Sequence, residues 1–136
     1  AEKVGLRLLI KYRVYMAWYH PIDNWVVNGN MRLWGGCPAE AVQWYRLATA
    51  RAAEHSTELA TSRLLGPGNT ARAVYANIAR AHLASGDIEG ALEALRQSAL
   101  RGGHPLDQWL RQEEIERLSQ HPQWQALQAN QGAQAG

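Results

Sequence analysis

The side chains able to do chemistry are few and scattered. The histidines are His20, His55, His82, His104 and His121. No two of them have the H-x-x-x-H or H-E-x-x-H spacing that sets two imidazoles on one helical face around zinc. Three stand beside breaks in the chain, and all five read as turn or surface residues. Glu113-Glu114-x-Glu116 is the one acidic cluster. Carboxylates do acid–base work when buried together. These open a short helix, where the dipole favours negative charge, and they read as solvated. Ser56, Ser62, Ser85, Ser98 and Ser119 lie in no nucleophile elbow. Gly66-Pro67-Gly68-Asn69 lacks the Lys-Ser/Thr and the preceding strand of a phosphate loop. Cys37 stands at a helix start, a position that activates thiols, yet has no identifiable base beside it. As the single cysteine it rules out an internal disulfide and a multi-cysteine zinc site. The reading is a non-enzyme with no cofactor and no metal.

The elements that must position these residues are marked by Gly and Pro. Breaks fall at His20-Pro21, Gly35-Gly36-Cys37-Pro38, Gly66-Pro67-Gly68-Asn69, Ser85-Gly86-Asp87, Gly102-Gly103-His104-Pro105 and His121-Pro122. Between them lie stretches rich in Ala, Leu, Arg, Gln and Glu, all strong helix formers, with no sustained alternation of β-branched residues. The expected fold is all-α, with about seven helices in one domain. At 136 residues and 46% apolar composition the chain can bury a real core.

Helical spacing recurs in each stretch. Tyr75, Ile78, Ala79 and His82 form one stripe, with Thr70 as a cap. Ile88, Ala91, Leu92, Leu95 and Ala99 form the next, with Asp87 as N-cap and Gly102-Gly103 as the stop. Pro38 suits a first helical position, and the helix behind it carries Ala41, Trp44, Tyr45, Ala48 and Ala52. That helix either runs on through Leu59 and Leu64-Leu65 or breaks near His55-Ser56, with residues 56–71 then a loop ending in Gly66-Pro67-Gly68; continuation is the expectation. An amphipathic stretch over 6–19 predicts a first helix. Trp109-Leu110, Ile115–Leu118 and Trp124–Leu127 predict short helices in the tail.

Two of these segments superimpose. Tyr75-x-x-Ile78-Ala79-x-x-His82, Gly86, Ala91 and Leu95 align with Trp25-x-x-Asn28-Gly29-x-x-Arg32, Gly36, Ala41 and Tyr45. This pattern resembles the tetratricopeptide repeat (TPR): an aromatic, a small residue four on, a turn glycine, then a small residue and a large one. The resemblance covers 22–55 and, more fully, 72–105. Asn28 and Arg32 depart from it, as does Ser98. The units lie 50 residues apart instead of the family's 34, with residues 56–71 inserted. Asp107-Gln-Trp109-Leu110 through Glu114, Leu118, His121-Pro122-x-Trp124 and Leu127 is similar to the segment that closes many bacterial TPR domains. The organisation expected is an N-terminal helix (1–21), repeat 1 (22–55), an insertion (56–71), repeat 2 (72–105), capping helices (106–130) and a disordered tail (131–136).

The resemblance implies an α-α superhelix whose concave face holds a peptide. Carried over by the alignment, that face comprises Asp23, Val26, Asn30, Leu33 and Trp34 of the first unit and Ala73, Ala76, Asn77, Arg80 and Ala84 of the second. Asn30 and Asn77 would bond a peptide backbone, and Arg80 a carboxylate. The lysine set of carboxylate-clamp TPR domains is absent, with Val26 at one such position. A protein or peptide partner is therefore expected, and a homodimer is compatible with the same aromatic surface.

Other partners are bounded by charge and hydropathy. A net charge of +2, with twelve acids spread among fourteen bases, argues against nucleic acid. No run reaches the roughly 18 apolar residues of a membrane span. Residues 5–19, carrying Arg7, Lys11 and Arg13 among Tyr12, Tyr15, Trp18 and Tyr19, have the composition of a helix that can lie on a membrane surface. The alternative function is therefore the soluble tail of a larger bacterial membrane protein of the polysaccharide ligase or polymerase type, or a membrane-associated assembly factor. The opening residue, Ala1, is compatible with a removed leader or upstream segment. One cysteine suits the bacterial cytoplasm and periplasm alike.

Overall fold

A computed structural model describes residues 21–67, 70–101 and 106–135. Among these every regular element is helical: α1 (Pro21–Trp34), α2 (Pro38–Glu54), α3 (Ser56–Thr61), α4 (Thr70–Ala84), α5 (Ile88–Ala99), a 3₁₀ turn (Leu106–Trp109), α6 (Gln112–Ser119) and α7 (Pro122–Ala135). The expected first helix over 6–19 and the stop at Gly102-Gly103 lie outside the described residues. The chain divides into two compact units, 1–67 and 68–136.

In the first unit α1 and α2 form an antiparallel hairpin. The turn is built on Gly36, whose φ of +83° is costly for any residue with a Cβ. The Cys37 N–H reaches back to the Arg32 carbonyl at 2.8 Å and the Gly36 N–H to that of Leu33 at 3.2 Å. These bonds satisfy carbonyls that the helix end would leave bare. Pro38 then opens α2, as expected. The hairpin core is Ile22, Val26, Ala41, Val42, Tyr45, Ala48 and Ala52, all buried. A Cβ on Gly29 would stand 2.5 Å from Tyr45 Cε1, so only glycine lets the Tyr45 ring lie against α1.

The second unit repeats this construction. Gly86 also has φ +83°. The Asp87 N–H donates to His82 at 2.8 Å and the Gly86 N–H to Leu83 at 3.0 Å. Each of these four residues is 50 positions beyond its counterpart. Tyr75, Ile78, Ala79, His82, Ala91, Leu92 and Leu95 are buried, as their spacing predicts. Ser98, where the repeat favours Ala, is buried as well, and its hydroxyl donates to the Arg72 carbonyl at 3.1 Å. The tail adds Leu118, Trp124 and Leu127 to the buried set of this unit. Trp109, by contrast, stays exposed.

Two expectations need correcting. The α2 helix does not run on through residues 56–65. It ends at Glu54, His55 leaves helical geometry at φ −129° and ψ 82°, and α3 is a separate short helix. Arg51 on α2 holds Glu58 on α3 through two hydrogen bonds of 2.6 and 2.7 Å, which fixes the bend. Residues 131–135 do not form a disordered tail: α7 continues through them to Ala135, in keeping with the helix propensity of its Gln and Ala residues.

Candidate functional site

The residues assigned by alignment to a concave face separate into three groups. Asp23, Val26 and Ala76 are buried and cannot touch a ligand, which corrects their assignment. Asp23 is inaccessible because the insertion folds onto it. Its Oδ1 accepts from the Ser62 hydroxyl at 2.6 Å and the Leu64 N–H at 3.1 Å, and its Oδ2 accepts from the Arg63 N–H at 3.2 Å. The Ser62 hydroxyl in turn accepts from the Leu65 N–H at 3.0 Å. A buried carboxylate is tolerable only with such partners.

A second group is committed to partners within its own unit. Asn30 Oδ1 accepts from the Tyr45 hydroxyl at 2.5 Å, tying α1 to α2. Arg80, expected to meet a ligand carboxylate, has one already: its Nε donates to Glu114 Oε1 and Oε2 at 3.1 and 3.2 Å. Glu114 also accepts from the Arg111 N–H at 2.8 Å, closing the first turn of α6. With only 13% of its side chain exposed, Glu114 is not the solvated helix-start residue expected of the acidic run, because α4 presents a guanidinium to it. Glu113 and Glu116 are exposed, as predicted.

The third group remains open to solvent. Leu33, Ala73 and Asn77 are half-buried and Ala84 is exposed. Trp34, the last residue of α1, is 66% exposed. It stands beyond the hairpin core and next to the glycine turn.

The histidines also divide. His55 is exposed and His121 half-buried at breaks, whereas His20 and His104 lie outside the described residues. His82 is buried, as its place in the stripe implies and against the turn-or-surface reading given to the histidines as a set, with Nδ1 3.0 Å from Asp87 Oδ2. The other oxygen of Asp87 accepts from the Gly90 N–H at 2.9 Å, the expected N-cap of α5. Gly90 is required here, since a Cβ would stand 2.5 Å from His82 Nδ1. The first hairpin makes the matching link differently. Arg32 on α1 pairs at 2.5 Å with Glu40 on α2, and its guanidinium lies 5.9 Å from the Trp44 ring centroid.

Cys37 is exposed. No group of three or more His, Cys, Asp or Glu among the described residues is arranged to hold a metal ion. No helix among them is long and apolar enough to cross a membrane.

One concavity was not foreseen. A groove of about 520 Å³ runs between α5 and α7, with Glu89, Leu92, Glu93 and Arg96 on one wall and Gln123, Ala126 and Leu127 on the other. Arg96 holds Glu93 through bonds of 2.9 and 2.8 Å, with Gln97 adding a third of 3.2 Å. The Arg96 hydrogen bond keeps the Glu93 carboxyl below its ordinary range. The signal for this wall was the i, i+3, i+4, i+7 spacing of 89, 92, 93 and 96. Its partner α7 was legible only as a cap.

Compared with known proteins, the chain matches no protein-family model, no curated protein and no solved structure.

Proposed function

We propose that this chain is a non-enzymatic protein-interaction module of TPR-like hairpins that takes a peptide of a partner protein on the solvent-open end of α1. Trp34 carries this reading. A tryptophan two-thirds exposed at the end of an otherwise well-packed hairpin leaves a large apolar surface in water, and such residues dominate binding where they are buried by a partner. Leu33 and Trp34 form the apolar part of the site. The repetition of the glycine turn at a 50-residue offset supports the TPR-like reading, because a helix-turn-helix unit that recurs along one chain is the signature of such repeats.

The test is peptide-library selection against wild type and Trp34→Ala, with affinities measured on the enriched peptides. The expected outcome is a loss of about thirtyfold in affinity, the size of an interface hot spot, with no change in melting temperature because Trp34 lies outside the core. Selected peptides that bind the variant as well as wild type would remove Trp34 from the site. A failure to enrich any peptide would count against the function itself.

A further inference from the structure

We infer that the groove between α5 and α7 is a second docking site, and that its occupant is a partner segment pairing a basic side chain with apolar ones. The groove lies entirely within the second unit and does not include Trp34 or any other residue of the site proposed above. Its volume of about 520 Å³ falls in the range that holds a few side chains. The floor is apolar, formed where Leu92 and Leu127 are nearly covered by their own unit, and Ala126 at the rim adds a small, exposed methyl.

Charge selects the occupant. Of the three charged residues on the α5 wall, Glu93 and Arg96 neutralise one another through paired hydrogen bonds. Glu89 is exposed and makes no hydrogen bond or ion pair among the described residues. The groove therefore presents one carboxylate without a side-chain partner, in the first turn of α5, next to an apolar floor, with the Gln123 amide on the opposite wall. A Lys or Arg that reaches Glu89 can lay its neighbouring Leu, Val or Ala side chain on Ala126 and the uncovered edge of Leu127. An acidic segment meets repulsion from Glu89 and has no unpaired cation to answer it.

The probes are two fluorescent twelve-residue peptides, four repeats of Leu-Lys-Ala and four of Leu-Glu-Ala, titrated into the full chain and followed by anisotropy and by amide chemical shifts of the ¹⁵N-labelled protein. The lysine peptide is expected to bind and to move amides of 89–96 and 123–127, while the glutamate peptide does neither. Glu89→Gln should weaken binding about threefold, as for an exposed ion pair, and Glu89→Lys about tenfold, with added salt then raising the residual affinity instead of lowering it. Ala126→Trp, which fills the groove from its exposed rim, should abolish the shifts. The inference is overturned if neither peptide shifts these amides, if both do so equally, or if Glu89→Lys binds the lysine peptide as tightly as wild type. Trp34→Ala should leave this binding unchanged, so the two proposed sites stand or fall separately.

Discussion

The Cα of Gly29 and the ring of Tyr45 occupy space that a single methyl group would close: a Cβ at position 29 would lie 2.5, 2.6 and 2.9 Å from three ring carbons. The second hairpin has Ala79 and Leu95 at the aligned positions, both fully buried. One unit thus combines the smaller residue with the larger; the other adds one carbon on the first helix and has three carbons and an oxygen fewer on the side chain that faces it. Gly29→Ala should destabilise the first unit by about 1–3 kcal/mol, the cost of overpacking, despite alanine's better helix propensity. Gly29→Ala with Tyr45→Leu, which installs the second hairpin's pair in the first, should cost less than the sum of its single changes. Urea unfolding of the four proteins of this cycle measures the coupling.

Asp23→Ala leaves the Ser62 hydroxyl and the Arg63 and Leu64 N–H groups without their acceptor. We expect a loss of about 2–3 kcal/mol and, more specifically, opening of residues 62–67. Limited proteolysis or hydrogen exchange should find that segment unprotected while α1 and α2 keep their protection.

Removing either member of the Arg80–Glu114 pair strands a largely buried charge. Glu114→Ala should cost more than Arg80→Ala, by about 0.5–1 kcal/mol beyond a shared loss of about 1–3 kcal/mol, because Glu114 also holds the Arg111 N–H. The difference should appear as early melting of α6, read from the exchange rates of its first-turn amides.

Burial pushes the Tyr75 hydroxyl above the usual tyrosine range, although Arg101, whose guanidinium lies 4.5 Å from the ring centroid, opposes the shift. The neutral phenol is then favoured more in the folded state than in the unfolded one. The resulting stability is complete below the unfolded value near 10.0 and is lost as pH rises through the folded value. Wild type should lose stability above pH 10 with a component, up to about 1.4 kcal/mol per pH unit, that Tyr75→Phe lacks. Unfolding titrations at pH 9, 10 and 11 compare the two.

The helices and their turns are legible in the sequence because their causes are local. Gly36 and Gly86 fix the reversals, Pro38 and Asp87 open the second helices, and the stripe from Tyr75 to His82 buries the face that its spacing assigns. The bend at His55 is less legible. Arg51 to Leu59 is composed of helix-compatible residues, and the features that part α2 from α3 include an ion pair seven positions apart and a clasp reaching back 39 residues from Ser62 to Asp23. The Ser56-Thr57-Glu58 run, a helix-start composition, was the one local sign. The candidate site was legible by face but not by environment. Alignment to a regular repeat treats Asp23 as open because the regular pattern has no inserted segment to cover it, and it treats Arg80 as available because Glu114 lies 34 positions downstream on another helix.

The turn glycines have one more consequence. At both Gly36 and Gly86 the conformation is left-handed, yet apart from the two flanking residues no atom lies within 4 Å of where the Cβ of an encoded residue would go. Such a residue is opposed there by its local backbone alone. A D-residue favours positive φ and escapes that opposition, so D-alanine at either position would match the backbone φ and restrict the unfolded chain. Each hairpin thus has a turn position, 50 residues from its twin, whose backbone angle favours a mirror-image amino acid over an encoded one that carries a side chain.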